Sequence, residues 1–113
     1  MSNISARIVP NANNDIEMNA QVFAAAVGAF LMGDASALQA RDFINAHITE
    51  NFGNVLTAAE EADIVGAGTS LKTVYDGMTN ANQAKYLIKL IMYSQQLQDE
   101  KITEAVWDGL MGL

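Results

Sequence analysis

The sequence predicts an all-α protein: a compact bundle of five to six helices preceded by an extended N-terminal arm. The only proline among the 113 residues is Pro10, so no later residue is barred from a helix interior. Half of the residues are hydrophobic, and they recur at the spacing of three and four that marks one face of a helix. Thr57 and Glu60 form a capping-box pattern, which signals a helix start. We therefore expect an arm at residues 1–14 and a single helical domain at residues 15–113.

Charge and composition exclude several classes of function. The net charge of −7, with six Lys and Arg residues, argues against nucleic-acid and anionic-membrane partners, because both are bound through basic side chains. The chain has no Cys, so disulfides, thiolate metal sites and a Cys nucleophile are excluded. The apolar run at residues 20–33 is too short to span a membrane, and the acidic Asp15 and Glu17 before it do not fit a signal peptide. We expect a protein that is cytoplasmic or part of an assembled particle, with no cofactor, membrane partner or evident small-molecule ligand.

The first helix is predicted at residues 15–32. It is apolar on all sides at its centre, which indicates a buried position in the middle of the bundle. Gly33 is expected to end this helix, and Asp34 is expected to cap the second. The second helix is predicted at residues 35–51. Its inward face consists of Ala37, Ala40, Phe43, Ile44 and Ile48.

The third helix is predicted to begin at Ala58, directly after the capping box. Gly66 and Gly68 are expected to interrupt it, and a shorter helix is expected to restart at Thr69 or Ser70. The two glycines resemble part of a dinucleotide-binding turn. However, that turn needs a third glycine three residues after the second, and this chain has none there. The pattern therefore favours a helix interrupted by glycine.

The last two helices are predicted at residues 81–98 and 100–111. The longer one is apolar except for a narrow polar stripe, which predicts a central position. That stripe consists of Asn82, Lys85, Lys89 and Gln96. The spacing in the last helix predicts an inward face made of Ile102, Ala105, Val106, Gly109, Leu110 and Leu113. Trp107 and Met111 fall outside that face and are expected to form a second apolar patch.

Five residues are candidates for contact with a partner protein. Ile4 and Ile8 alternate with polar neighbours in the arm. Arg41 projects into the apolar face of the second helix, where it either covers apolar surface with its stem or pairs with a carboxylate of a partner. Trp107 and Met111 belong to residue types that are enriched in interface cores. A short helix packed in a corner would instead bury both within its own domain.

His47 is the single histidine and has Glu50 three residues after it. Helical bundles that bind metal ions through carboxylates use Glu-x-x-His on two helices, and the order here is reversed. We therefore interpret His47 as a residue at the edge of an apolar face, and we expect neither a metal site nor catalysis. An enzyme that uses His47 with Glu50 or Arg41 is a third-ranked hypothesis.

The favoured hypothesis is a non-enzymatic structural or assembly subunit that associates with itself or with a larger protein partner, as a component of a virus particle would. Only 17% of the residues are charged, and a domain of this size leaves about a third of its surface exposed. Some apolar surface is therefore expected to meet a partner. The alternative is a small acidic regulator or inhibitor that binds a basic surface of another protein, because 13 Asp and Glu residues could steer that encounter.

Overall fold

The computed structural model of the chain describes residues 20–53 and 55–113, and this part contains five helices and no strand. In chain order they are α1 (Ala20–Leu31), α2 (Ala37–Phe52), α3 (Ala58–Asp76), α4 (Asn80–Gln98) and α5 (Glu104–Leu110). The all-α prediction is confirmed. The arm at residues 1–14, with Ile4 and Ile8, and the predicted start of the first helix at residues 15–19 lie outside the described residues.

α1 lies at the centre of the bundle and packs against α2, α3 and α4. This position follows from its sequence, because a helix that is apolar all round at its centre has no polar face to turn toward water. Phe23, Val27 and Leu31 are buried along it, and burial of each such side chain stabilises the fold by about 1.5–3 kcal/mol. Gly28 faces α4, and a Cβ placed on it would make an ordinary van der Waals contact with the Leu87 side chain at 3.9 Å.

The junction between α1 and α2 corrects one predicted cap. Gly33 ends α1 as predicted, in the left-handed conformation at φ +83°. Asp34 does not cap α2: its backbone N–H donates to the Ala29 carbonyl and helps to close α1. Ser36 is the cap, because it forms a capping box in which Gln39 N–H donates to Ser36 Oγ at 3.0 Å and Ser36 N–H donates to Gln39 Oε1 at 2.8 Å. This reciprocal pair satisfies two otherwise unpaired N–H groups, so α2 begins later than predicted.

α3 is continuous, so the predicted interruption at Gly66 and Gly68 is wrong. Glycine costs a helix about 1 kcal/mol relative to alanine, and the burial of Ile64, Ala67 and Leu71 on the same helix offsets that cost. A Cβ on Gly68 would lie 3.5 Å from the Phe30 ring, which is an ordinary van der Waals contact. The capping box that starts α3 is confirmed, with Glu60 N–H donating to Thr57 Oγ1 at 3.1 Å.

α5 is turned the other way from the prediction. Its predicted inward face is largely exposed, including Val106 at 47%, Leu110 at 42% and Leu113 at 39%. Trp107 and Met111, for which the sequence left both an apolar contact patch and burial within the domain open, are fully buried. Trp107 accounts for this orientation, because its large ring packs against Phe23 and its Nε1–H finds a hydrogen-bond acceptor in Ser94. The alternative of burial within the domain is the one that the structure adopts.

Candidate protein–protein interface

The surface of α4 carries a row of large apolar side chains that contact no other helix extensively. Ile88, Ile91 and Met92 are 56%, 54% and 51% exposed. They are three and four residues apart, so they lie on one side of the helix. The opposite side of α4 is buried and consists of Tyr86, Leu90, Ser94 and Leu97. We call the exposed row the α4 face; the predicted central position of this helix is therefore wrong for this side.

The charge of α4 differs from that of the rest of the chain. α4 has Lys85 and Lys89 and no acidic residue, whereas the chain as a whole has a net charge of −7. Both lysines are exposed. One turn separates them, and each lies one turn or less from the α4 face. The α4 face is therefore an apolar row beside a local positive charge on an otherwise acidic protein.

A second exposed apolar set lies on α5. Val106, Leu110 and Leu113 are four and three residues apart and share one side of the helix and its end. We call this set the α5 face. It is the surface that the sequence assigned to the core, and it is exposed because Trp107 and Met111 occupy the inward side instead.

Three further large apolar side chains are exposed on α2 and in the loop that follows it, at Phe43, Phe52 and Val55. Phe43 and Phe52 are nine residues apart, so they lie on opposite sides of α2. Phe43 was predicted to face inward, and this is wrong: it is more than half exposed, whereas Ile44 and Ile48 fill the core. Phe43 forms one wall of a groove of about 360 Å³ between α1 and α2, with alanines of both helices among its lining. The groove is open because the α1 residues that line it are alanines, whose side chains are short.

Arg41 joins α2 to α3 and pairs with carboxylates of its own chain. Its Nη2 lies 2.7 Å from Asp42 Oδ1, and its Nε lies 3.4 Å from Glu61 Oε2. The hydrogen bond with Asp42 raises the pKa of Arg41. Both pairs are partly exposed, where such contacts contribute little stability. The role of Arg41 in binding a partner stays a prediction.

Trp107 and Met111 are brought together at the junction of α1, α4 and α5. The Trp107 ring lies 6.2 Å from the Phe23 ring, and its Nε1–H donates to Ser94 Oγ at 3.4 Å. The Met111 carbonyl accepts a hydrogen bond from the Tyr86 hydroxyl at 2.6 Å. Burial raises the pKa of Tyr86 to about 12. These contacts make Trp107 and Met111 part of the core, on the far side of α5 from its exposed face.

His47 is half-buried at the edge of α2. Its Nδ1 lies 3.2 Å from the Asn51 amide nitrogen, and its ring lies 6.2 Å from the Phe52 ring in an edge-on arrangement. Across residues 20–53 and 55–113, no group of three or more His, Asp or Glu side chains is placed to hold a metal ion. The surroundings of His47 are those of a packed helical residue.

Sequence reasoning missed the residues of the α4 face, although one signal was present. Ile88 and Met92 lie immediately beside the predicted polar stripe on the helical projection, so they are the first apolar positions that a turn of the helix would expose. In the described residues, no helix is long and apolar enough to cross a membrane. Comparisons of the chain with protein-family models, with curated proteins and with solved structures found no match.

Proposed function

We propose that this protein is a non-enzymatic assembly subunit that binds further copies of itself through the α4 face. The observation that carries the proposal is the row formed by Ile88, Ile91 and Met92, each more than half exposed on a regular, well-packed helix. Apolar side chains grouped in this way on the surface of a water-soluble domain mark interaction sites. Aromatic residues and Met are also over-represented in the cores of such interfaces.

Charge indicates which surface of the second copy the α4 face meets. A symmetric contact between two α4 helices would bring four lysines, Lys85 and Lys89 of each copy, to one interface, which is unfavourable. Phe43, on α2, instead lies near acidic residues of the same helix, since Asp42 and Glu50 line one side of α2. Arg41 pairs with Asp42 and with Glu61 of α3, so Glu50 carries the remaining negative charge of this side. The row beside Lys85 and Lys89 thus has an apolar counterpart beside Glu50 on the same molecule.

In such a contact, a surface of one copy binds a different surface of the next copy. The first and last copies of an open assembly therefore each keep one of the two surfaces unoccupied. Such head-to-tail contacts form closed rings, or open filaments when the rotation between subunits does not close. Stable protein interfaces bury about 800 Å² on each partner, so the contact is expected to extend from these apolar side chains to polar residues at its rim. The proposed function is therefore that of a building block whose copies add in one direction.

The test is the mass of the full chain in solution as a function of concentration, measured by sedimentation or light scattering. The wild type is expected to associate, and Ile91→Asp is expected to weaken association at least about tenfold, because a buried charge replaces an apolar contact. Val106→Asp is the matched control, since it places the same charge at a similarly exposed position on the α5 face. A reversed result for the two variants would assign the contact to the α5 face.

Salt dependence separates this proposal from the acidic-regulator hypothesis. Replacing Lys85 and Lys89 together by Gln removes their charge. It is expected to weaken head-to-tail association, whereas it would remove repulsion from a symmetric contact and strengthen that one. A chain that is monomeric at all concentrations, yet binds a basic protein in a manner lost at moderate salt, would contradict self-assembly and support the acidic regulator.

A further inference from the structure

The groove between α1 and α2 has the size and the lining of a site that receives apolar side chains. Its volume of about 360 Å³ is more than twice that of a closed apolar cavity of about 150 Å³, which holds a benzene molecule. The ring of Phe43 forms one wall. The rest of the apolar lining consists of alanines: Ala25, Ala26, Ala29, Ala35 and Ala40. The groove therefore has room for more than one aliphatic side chain.

Negative charge lies at both ends of this groove. Asp34, in the turn before α2, is part of the lining. It is exposed, and its carboxylate forms no ion pair among the described residues. Glu50 follows Phe43 by seven residues, so it lies on the same side of α2, about two turns further along. A partner that fills the groove is therefore expected to combine apolar side chains with positive charge.

The α4 face has this combination of side chains. Ile88, Ile91 and Met92 are spaced at i, i+3 and i+4, as are the anchor residues of a helix that binds in an apolar groove. On the helical projection, Lys85 and Lys89 lie along one flank of this row. The α5 face is the other exposed apolar side of a helix, but α5 has two acidic residues and no basic one. Only the α4 face therefore matches the charge of the groove.

We propose that the groove between α1 and α2 of one copy receives the α4 face of the next copy, with the lysines of α4 beside Asp34. The α4 face is exposed in its own chain, on the side of α4 opposite to Leu90, so a second copy has to supply it. This pairing rests on the self-association proposed above, and it adds the surface at which each copy accepts its neighbour. Since the two surfaces belong to different helices, each copy can use both at once.

A variant with a filled groove tests this pairing without a change in the core. Ala25 is exposed and lines the groove, so Ala25→Leu is expected to fold as the wild type does and to take the space that the neighbouring side chains need. It is expected to weaken association of the full chain at least about tenfold in sedimentation. Ala62→Leu makes the same change at an exposed position of α3 outside the groove. This control is expected to associate as the wild type does.

Mixing two variants identifies which surfaces bind each other. Ile91→Asp has an open groove and a defective α4 face, whereas Ala25→Leu has an intact α4 face and a filled groove. Each variant alone is expected to be mainly monomeric at a concentration at which the wild type associates. An equimolar mixture is expected to form a 1:1 dimer with twice the mass of the chain. It grows no further, because each copy in it keeps only its defective surface unoccupied.

The other outcomes overturn the pairing, and they separate it from the proposed function. A wild type that stays monomeric at every concentration contradicts both. If the wild type and Ala25→Leu associate equally and Ile91→Asp does not, the α4 face binds a different surface; self-association then stands and the groove is the wrong acceptor. A mixture of the two variants that stays monomeric shows that the groove and the α4 face do not bind each other.

A second variant keeps the test decisive if the melting temperature shows that Ala25→Leu alters the fold. Asp34→Asn removes the negative charge from the groove lining, and it is expected to weaken association severalfold at low salt and less at moderate salt. Asp63→Asn, the same change on α3 outside the groove, is the control. In a background with Lys85 and Lys89 replaced by Gln, Asp34→Asn is expected to have no further effect. Equal effects in the two backgrounds would show that these charges do not meet.

Discussion

α1 and α5 meet through the rings of Phe23 and Trp107, yet the two helices become buried for different reasons. α1 is surrounded by three other helices. Because it is apolar on all sides, it has no polar face that could be exposed to water. α5 is seven residues long and lies at the edge of the bundle. Two of its faces are apolar enough to be buried. The face that is buried has fewer apolar residues, but it includes Trp107, the largest side chain of the helix.

The comparison shows what decides the orientation of a short peripheral helix. The α5 face offers several medium-sized side chains, of which Val106, Leu110 and Leu113 are exposed. The inward side offers one indole, one Met and two acidic residues. The indole fits against Phe23 and finds a hydrogen-bond acceptor in Ser94, and a large aromatic side chain alone removes about 150–250 Å² from water. The number of apolar positions on each face therefore does not predict which face of α5 is buried, because a single large side chain fills one site in the core.

Of the changes proposed for α5, Trp107→Ala is expected to have the largest effect on stability. It is expected to lower the free energy of unfolding by about 3–5 kcal/mol, because a large cavity is left at the junction with α1. Val106→Ala, on the exposed side of α5, is expected to change it by less than about 0.5 kcal/mol. Urea unfolding of the two variants measures the difference. A larger loss for Val106→Ala would restore the orientation that the sequence predicts.

High pH is expected to weaken the α4–α5 side of the core through Tyr86. Its pKa is about 12 in the folded chain, against an ordinary value of 10.0. Between these values the unfolded chain has released the hydroxyl proton and the folded chain still holds it, so the free energy of unfolding falls as the pH rises. The loss attributable to this group reaches about 2–3 kcal/mol by pH 12.

The Tyr86→Phe variant is the control for the pH experiment. It lacks the ionisable hydroxyl, so the slope of unfolding free energy against pH is expected to be shallower than in the wild type above pH 10. It also loses the hydrogen bond to the Met111 carbonyl, which is expected to lower stability by about 1 kcal/mol at neutral pH. Equal slopes for the two proteins would mean that the hydroxyl is not buried against α5.

Gly109→Ala gives the smallest effect and tests the orientation of α5 at one position. The sequence predicts Gly109 on the inward face, but nothing lies within 4 Å of a Cβ placed there. Alanine is therefore expected to raise the free energy of unfolding by about 0.5–1 kcal/mol, through its higher helix propensity. Thermal unfolding measures the gain, and a lower melting temperature would indicate that Gly109 packs against another helix.

Much of the fold could be predicted because local signals and burial agree. The capping box at Thr57, the left-handed end of α1 at Gly33 and the inward positions of Ile44 and Ile48 all follow from residue type and spacing. The continuity of α3 could not be predicted, since Gly68 looks like a break until Phe30 is seen to pack over it. That contact joins two helices far apart in the sequence.

The candidate surface was less predictable than the fold. A helix that is apolar over most of its circumference does not reveal which apolar positions its neighbours cover, so Ile88 and Ile91 looked like core residues. Arg41 was identified as unusual from its apolar surroundings, but its pairing with Glu61 depends on where α3 lies. Both the exposure of the α4 residues and the pairing of Arg41 depend on where the neighbouring helices lie, and a local sequence pattern does not specify that.

The sequence by itself determined that this chain forms helices, where most of them begin and end, and that α1 is buried at the centre. Those properties depend on backbone preferences, capping and the composition of one segment at a time. Tertiary structure alone decided that α5 turns Trp107 and Asp108 inward, that α3 continues through its glycines and that one side of α4 is left exposed. In each case the local pattern allows more than one packing arrangement, and the choice between them depends on the side chains that the neighbouring helices present.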